Sequence, residues 1–173
     1  MDIMNFHDLI SKRFSARKYA EQKVEPEKLR ALLEAARLAP TACNYQPFKV
    51  LVIQSESGME KLGKASKTYG APLALVVCAD HSACWKRPRD KRSTADIDAS
   101  IVTDHIMLQA AELGLGTVWV CSFDLEALRR EFNVPDELEP VNILIAGYSA
   151  DDAPNPRHFQ RKNIEDFTIE ETF

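Results

Sequence analysis

Ala71-Pro72-Leu73-Ala74-Leu75-Val76-Val77-Cys78 carries no charge, and its only side chain with a proton to donate is the closing thiol. A run this uniformly apolar reads as a strand buried on both faces, because a strand touching water on one side would alternate. Around it the chain supplies further strands at Phe48 to Ile53, Val118 to Cys121 and Val141 to Tyr148. Helical patterns fill the intervals. Residues 5 to 12 read as a first helix within an apolar stripe of Ile3, Phe6, Leu9 and Ile10. Val24-Glu25-Pro26-Glu27 opens a second, with proline and acids in the first turn, where they suit the unpaired amides and the dipole. Its positions Leu29, Leu32, Leu33, Ala36 and Leu38 fall near a 3.6-residue period, and Pro40 ends it. Gly58 to Ser66 predicts a short helix. Asp96 to Leu113 predicts the longest, with apolar residues on more than one stripe, and Gly114 stops it. Gly114 and Gly116 together read as its cap. Asp124 caps a last helix, Leu125 to Phe132. The expected class is α+β, a three-layer arrangement around a buried sheet, and no G-x-G-x-x-G follows a strand.

With 173 residues the chain suits one domain, expected over residues 1–150, followed by an extension, 151–173, that carries Pro154 and Pro156 and little apolar periodicity. Such a tail reads either as wrapping a partner or as partly disordered. A formal net charge of −4 argues against a general nucleic-acid binder, and no apolar run reaches the ~18 residues of a membrane span. The first residues lack the layout of a signal peptide, so the expectation is a cytoplasmic protein with no nucleic-acid or membrane partner. Its cysteines, Cys43, Cys78, Cys84 and Cys121, are expected to remain thiols. Cys78, His81 and Cys84 form a C-x2-H-x2-C cluster, but no second ligand pair stands at a usual spacing, and no metal is expected.

Between the first two helices lies Lys12-Arg13-Phe14-Ser15-Ala16-Arg17-Lys18-Tyr19. If this link is extended, its two-residue repeat sends Arg13, Ser15 and Arg17 to one side. Two guanidinium forks and a hydroxyl on one face suit a phosphate dianion. The competing reading is a solvated basic turn. A second basic stretch, Trp85 to Thr94, holds Lys86, Arg87, Arg89, Lys91 and Arg92, and reads either as a solvated loop or as a lid over an anionic substrate. Asn44 and Gln46 can equally be turn residues. Cys121 reads as core, and none of His7, His81, His105 or His158 shows a partner pattern. No catalytic side chain is assigned.

Taken in order, these segments resemble the FMN-dependent nitroreductase family, in particular its short members. Arg13-x-Ser15-x-Arg17 is similar to the family's phosphate motif. Ala39-Pro40-Thr41-Ala42-Cys43-Asn44-Tyr45-Gln46-Pro47-Phe48 is similar to its Pro-Ser-x-x-Asn-x-Gln-Pro-Trp loop. Asp96 to Trp119 resembles its central helix and following strand, and Arg161-Lys162 its C-terminal basic pair.

The resemblance implies an α/β/α sandwich with a mostly antiparallel sheet, in a homodimer whose subunits embrace. It implies an oxidoreductase that binds FMN, takes hydride from NADH or NADPH, and reduces a small-molecule acceptor such as a nitroaromatic or quinone. Arg13, Ser15 and Arg17 would hold the phosphate and ribityl oxygens, with Arg161 and Lys162 completing the pocket. Pro40, Thr41, Ala42 and Asn44 would act on the flavin of the other subunit. Trp119, Val120, Cys121 and Ser122 would bring backbone amides to the flavin N5 side. Alternatives are a dehalogenase-like flavin chemistry and a non-catalytic FMN-binding module. Phe48 replaces the family's usual Trp, Asp98 stands where small residues are usual, open either to cap or to pair with a Lys or Arg, and Phe159 replaces a lysine two places before Arg161. The segment Ala65 to Gly70 is shorter than in longer members.

Overall fold

A computed structural model describes residues 5–173, so Ile3, counted in the first helical stripe, lies outside the described residues. The elements are α1 (Phe6–Lys12), α2 (Pro26–Leu38), β1 (Phe48–Ile53), α3 (Glu56–Gly63), β2 (Leu73–Asp80), α4 (Ala95–Glu112), β3 (Gly116–Val120), α5 (Leu125–Phe132) and β4 (Leu138–Gly147). The four strands form one antiparallel sheet in the order β1-β2-β4-β3. β2 lies inside it, and Leu73 to Ala79 are all buried.

Side-chain alternation then builds two cores. Leu73, Leu75, Val77 and Ala79 of β2 join Leu144 and Ala146 of β4 against Leu32 and Ala36 of α2 and Ala99, Val102, Ile106 and Ala110 of α4. The opposite face places Ala74, Val76 and Cys78 with Ile143 and Ile145 against Leu62 of α3 and Ala127 and Leu128 of α5. The result is the expected α/β/α sandwich.

Where boundaries differ from the sequence reading, local hydrogen bonding explains them. α3 begins two residues before Gly58 because the Ser55 hydroxyl accepts from the Gly58 amide and caps the first turn. β4 begins at Leu138 and passes through Pro140, which pairs with Cys78 where the β2–β4 register shifts. A residue without an N–H is tolerated at such an irregularity. Gly114, at φ +76°, ends α4 as expected. Gly116 is a correction. It is no part of that cap but the first residue of β3, and a Cβ there would lie 2.8 Å from Ala16 Cβ and 2.9 Å from Ser149 Cβ. The remaining carbonyl end of α4 is met by Lys28, whose Nζ donates to the Leu113 carbonyl (3.0 Å) and to the Tyr148 hydroxyl (2.7 Å).

α4 packs against the sheet, α2 and α1, and one stripe of it stays open. Ile97 is 51% exposed, and Ile101, Leu108 and Ala111, at helical spacing from it, stay half-buried. Phe159, Ile164, Phe167 and Ile169 of the tail are also exposed. On α4 and on the tail, the described chain therefore carries apolar surface that its own core does not use.

Candidate functional site

The link after α1 is extended, as its alternation requires. Its Ala16 amide donates to the Thr117 carbonyl (2.9 Å), so Ser15 bridges to the outer edge of β3. Farther on, the Ala20 amide donates to the Tyr148 carbonyl and Tyr19 bridges to Ser149, clamping the link across the end of β4. Ala16 is fully buried toward the sheet. Its neighbours are thereby turned outward, and Arg13, Phe14, Ser15 and Arg17 line a cavity of about 480 Å³.

The other wall comes from the opposite end of the chain. The Asp151 carboxylate accepts from the amides of Arg17 (2.7 Å) and Lys18 (3.3 Å), returning the tail alongside the link. The Asn155 side chain accepts from the Arg157 amide and starts a 3-10 turn over Pro156–Phe159. His158 Nε2 then donates to the Ser11 carbonyl at the end of α1 (3.2 Å), and its ring packs edge-on against Phe14. Asn155, Arg157, His158 and Arg161 thus complete the cavity. Lys162 is exposed and lies outside that lining.

Four guanidinium groups around one cavity are costly without an anionic partner. Partial burial and the nearby charge of Arg161 hold the Arg13 guanidinium below its ordinary pKa, while Asp104 of α4 pulls the other way. Sequence reasoning found the arginines by alternation and by motif. It missed Asn155 and His158, whose placement depends on a turn of the tail that no periodicity announces. Arg157 makes up in this lining for the charge lost at Phe159, whose own ring is 71% exposed.

The loop of Pro40, Thr41, Ala42 and Asn44 lies elsewhere on the same chain. It folds as a 3-10 turn over Ala42–Asn44, with Cys43, Asn44 and Gln46 all at φ near +50°. Three non-glycine residues in the left-handed region are strain that surrounding bonds must hold. The Gln46 amide donates to Thr41 Oγ1 (3.0 Å), and the Gln46 side chain donates to the Asn44 carbonyl. Asp98, only 2% exposed in the first turn of α4, accepts from the Ala42 amide (2.9 Å) and from the Thr94 hydroxyl (3.0 Å). The sequence left open whether Asp98 caps or pairs with a cation. It caps, across 56 residues of chain.

Trp119 and Val120 close β3, with Trp119 half-buried on the α4 side. Cys121 is exposed just beyond the strand, which corrects its reading as core. Ser122 lines a different cavity, with Ala65 to Tyr69 and Phe123. One chain therefore gathers the basic residues from its two ends, while the strained loop and the end of β3 do not line that cavity.

Among the described residues, no cluster of three His, Cys, Asp or Glu side chains could hold a metal ion. The Cys78 thiol is buried in the core and its pKa is pushed up to about 11. Cys84 Sγ lies 3.1 Å from Ser93 Oγ, and His81 Nε2 lies 2.6 Å from a Glu139 carboxylate oxygen. No described helix is long and apolar enough to cross a membrane.

The sequence pattern of the Nitroreductase family matches residues 10–68 and 61–148. A relative from Archaeoglobus fulgidus, provisionally named NADH dehydrogenase/NAD(P)H nitroreductase, is 32% identical over 174 residues, spanning 89% of this chain and 95% of its own. The crystal structure of a nitroreductase family protein from Clostridium difficile superposes with a TM-score of 0.93 at 48% identity, covering 98% of this chain and all of the other. A second C. difficile structure, described as an FMN-dependent nitroreductase, reaches 0.73 at 30% identity, over 95% and 96%.

Proposed function

The chain belongs to the nitroreductase family, and from that premise we propose an FMN-dependent oxidoreductase that uses NADH or NADPH to reduce nitroaromatics, quinones or similar electrophiles. The observation that carries this reading is the cavity lined by Arg13, Ser15, Arg17, Arg157 and Arg161. A dianionic phosphate fits that donor set. It compensates the partly desolvated Arg13 guanidinium, offsets its repulsion with Arg161, and offers oxygens to several forks at once. Ser15 supplies a neutral hydroxyl for a ribityl oxygen, and Lys162 adds charge at the rim.

When bound, FMN supplies the redox chemistry, receiving hydride from the reduced nicotinamide and passing electrons to the acceptor. The chain's own residues hold and orient. Backbone amides of Trp119 to Ser122 act as fixed donors toward the ring edge, where negative charge grows on reduction. Pro40, Thr41, Ala42 and Asn44 cover the flavin held by a second copy, and the Asp98 bond to Ala42 keeps them in position.

The second copy is part of the proposal. Residues 151–173 form an extension beyond a 1–150 domain, and their exposed Phe167 and Ile169 pack on the partner, as does the open stripe of α4. Arg13 feels the charge of Asp104, which lies on α4 near that stripe, so the cavity and the proposed interface are neighbours.

Purified protein should be yellow and should bleach anaerobically on adding NADH or NADPH. Replacing Arg13 and Arg17 together by Ala should give colourless protein, and stoichiometric FMN in that variant refutes the cavity assignment. Flavin that is bound but never reduced by either dinucleotide refutes the oxidoreductase reading in favour of a binding module.

A further inference from the structure

Residues Lys86 to Arg92 carry five cations and one carboxylate in a chain of net charge −4. They form a closed hairpin. The Arg87 amide donates to the Arg92 carbonyl (2.9 Å), the Lys91 amide to the Arg87 carbonyl (2.9 Å), and Lys86 bridges to Ser93. Lys91 sits at φ +58°, a conformation a lysine adopts only when the turn demands it. Arg87 pairs with Asp90 (3.2 Å). Lys86, Arg89, Lys91 and Arg92 are exposed and stand without an acidic partner among the described residues.

The hairpin is also tied to the strained loop. The Thr94 amide donates to the Trp85 carbonyl (3.1 Å), and the Thr94 hydroxyl lies within bonding distance of that carbonyl and of Asp98. Asp98 in turn receives the Ala42 amide. At the same end of the sheet the Asp80 amide donates to the Pro47 carbonyl (2.8 Å), so hairpin and loop leave one edge together. Four clustered, unpaired cations repel one another, and holding them on a fixed turn is unfavourable unless they meet an anion. The patch is one hairpin on an acidic protein, too small for a nucleic-acid track.

We propose that Arg89, Lys91 and Arg92, with Lys86, bind the phosphate groups of the dinucleotide electron donor. This rests on the proposed function, in which the Pro40–Asn44 loop covers the flavin of a second copy. In that arrangement the hairpin, tied to the loop through Asp98, is carried to the flavin site of the second copy, on the side from which a dinucleotide would approach. It contributes charge to donor binding and none to the electron-transfer geometry, so it sets the donor KM rather than the limiting rate.

The test uses the FMN-loaded Arg89→Ala/Arg92→Ala variant, whose two side chains are exposed and whose backbone bonds are retained. FMN content and unfolding temperature should match the parent. Anaerobic reduction should require about tenfold or more NADPH to half-saturate, the loss expected for a charge-assisted contact. Oxidation of the photoreduced variant by uncharged 1,4-benzoquinone should be unchanged. Weakening of NADPH alone assigns the hairpin to the 2′-phosphate, and equal weakening of NADH assigns it to the pyrophosphate; both support the proposal. Unchanged half-saturation for both donors overturns it, while an unreduced parent sinks the proposed function itself.

Discussion

The backbone amide of Ala42 donates to Oδ1 of Asp98 over 2.9 Å, joining the strained loop to the first turn of α4. The carboxylate is 2% exposed, and its second oxygen takes the Thr94 hydroxyl. Asp98→Ala leaves the Ala42 amide without its partner and should cost about 1–3 kcal/mol. Asp98→Asn keeps a carbonyl oxygen for Ala42 and offers an amide N–H to Thr94, which can still donate to Trp85. It should lose well under half as much. Urea unfolding of the two variants checks the order, and equal losses would show that charge rather than acceptor geometry matters at this site.

The Arg13–Arg161 repulsion makes a prediction with two signs. Arg161→Gln should raise the melting temperature of protein stripped of FMN, because it removes a like charge from beside Arg13. The same change should weaken FMN binding about tenfold or more, the worth of a hydrogen bond to a charged group. Calorimetry on the apoprotein and a fluorescence titration with FMN read the two halves. Changes of the same sign in both would mean that Arg161 acts through folding.

Gly116 carries the link on its back. With Ala16 Cβ and Ser149 Cβ each within 3 Å of where its Cβ would stand, Gly116→Ala must push the link off β3. Overpacking of this kind costs about 1–3 kcal/mol. Because the displaced segment bears Arg13, Ser15 and Arg17, FMN retention should fall although no charge is removed. Stability loss with undiminished FMN affinity would show that the cavity tolerates movement of its floor.

These contacts mark where the sequence was legible. β1 and α5 occupy the residues their patterns predict, because each is bounded by a local signal: Pro47 before the strand, Asp124 capping the helix. β4 begins three residues before the predicted Val141, because Pro140 is accommodated in the strand beside a register shift on β2. The cavity was half legible. Alternation places Arg13, Ser15 and Arg17 together from a single short segment, whereas Asn155 and His158 reach it through a tail turn held by Ser11 and Asp151. The capping role of Asp98 depends on a partner 56 residues away, and no spacing rule connects the two.

Thiol chemistry separates the four cysteines. Cys43 and Cys121 are exposed, and Cys78 and Cys84 are buried. Two thiols per chain should react quickly with a disulfide reagent in the apoprotein, and FMN should protect Cys121 if the end of β3 faces the ring. Cys78 also sets a pH limit. Its folded-state pKa of about 11 lies above the ordinary value of 9.0 because burial disfavours the thiolate. The unfolded chain therefore releases this proton first. The contribution to stability is complete below pH 9 and declines as pH rises toward 11. Cys78→Ala should flatten that decline in urea midpoints measured across this range, and an unchanged slope would assign it to another group.

Phe167 and Ile169 expose 64% and 59% of their surface on a tail that lies outside both cores, yet neither lines the basic cavity. Their exposure separates assembly from phosphate binding. Phe167→Asp/Ile169→Asp leaves Arg157 and Arg161 in place while putting two charges where the proposed partner packs. Desolvating an unpaired carboxylate at an interface is costly, so in place of the dimer proposed for the parent the doubly substituted chain should sediment only as a monomer at equal concentration. In the proposed arrangement the Pro40–Asn44 loop covers the flavin of the other copy, so FMN should be lost with the partner. Light scattering with absorbance at the flavin band reads both at once. A monomer that keeps stoichiometric FMN would show that one chain suffices to hold the cofactor, and the shared-site arrangement would fall.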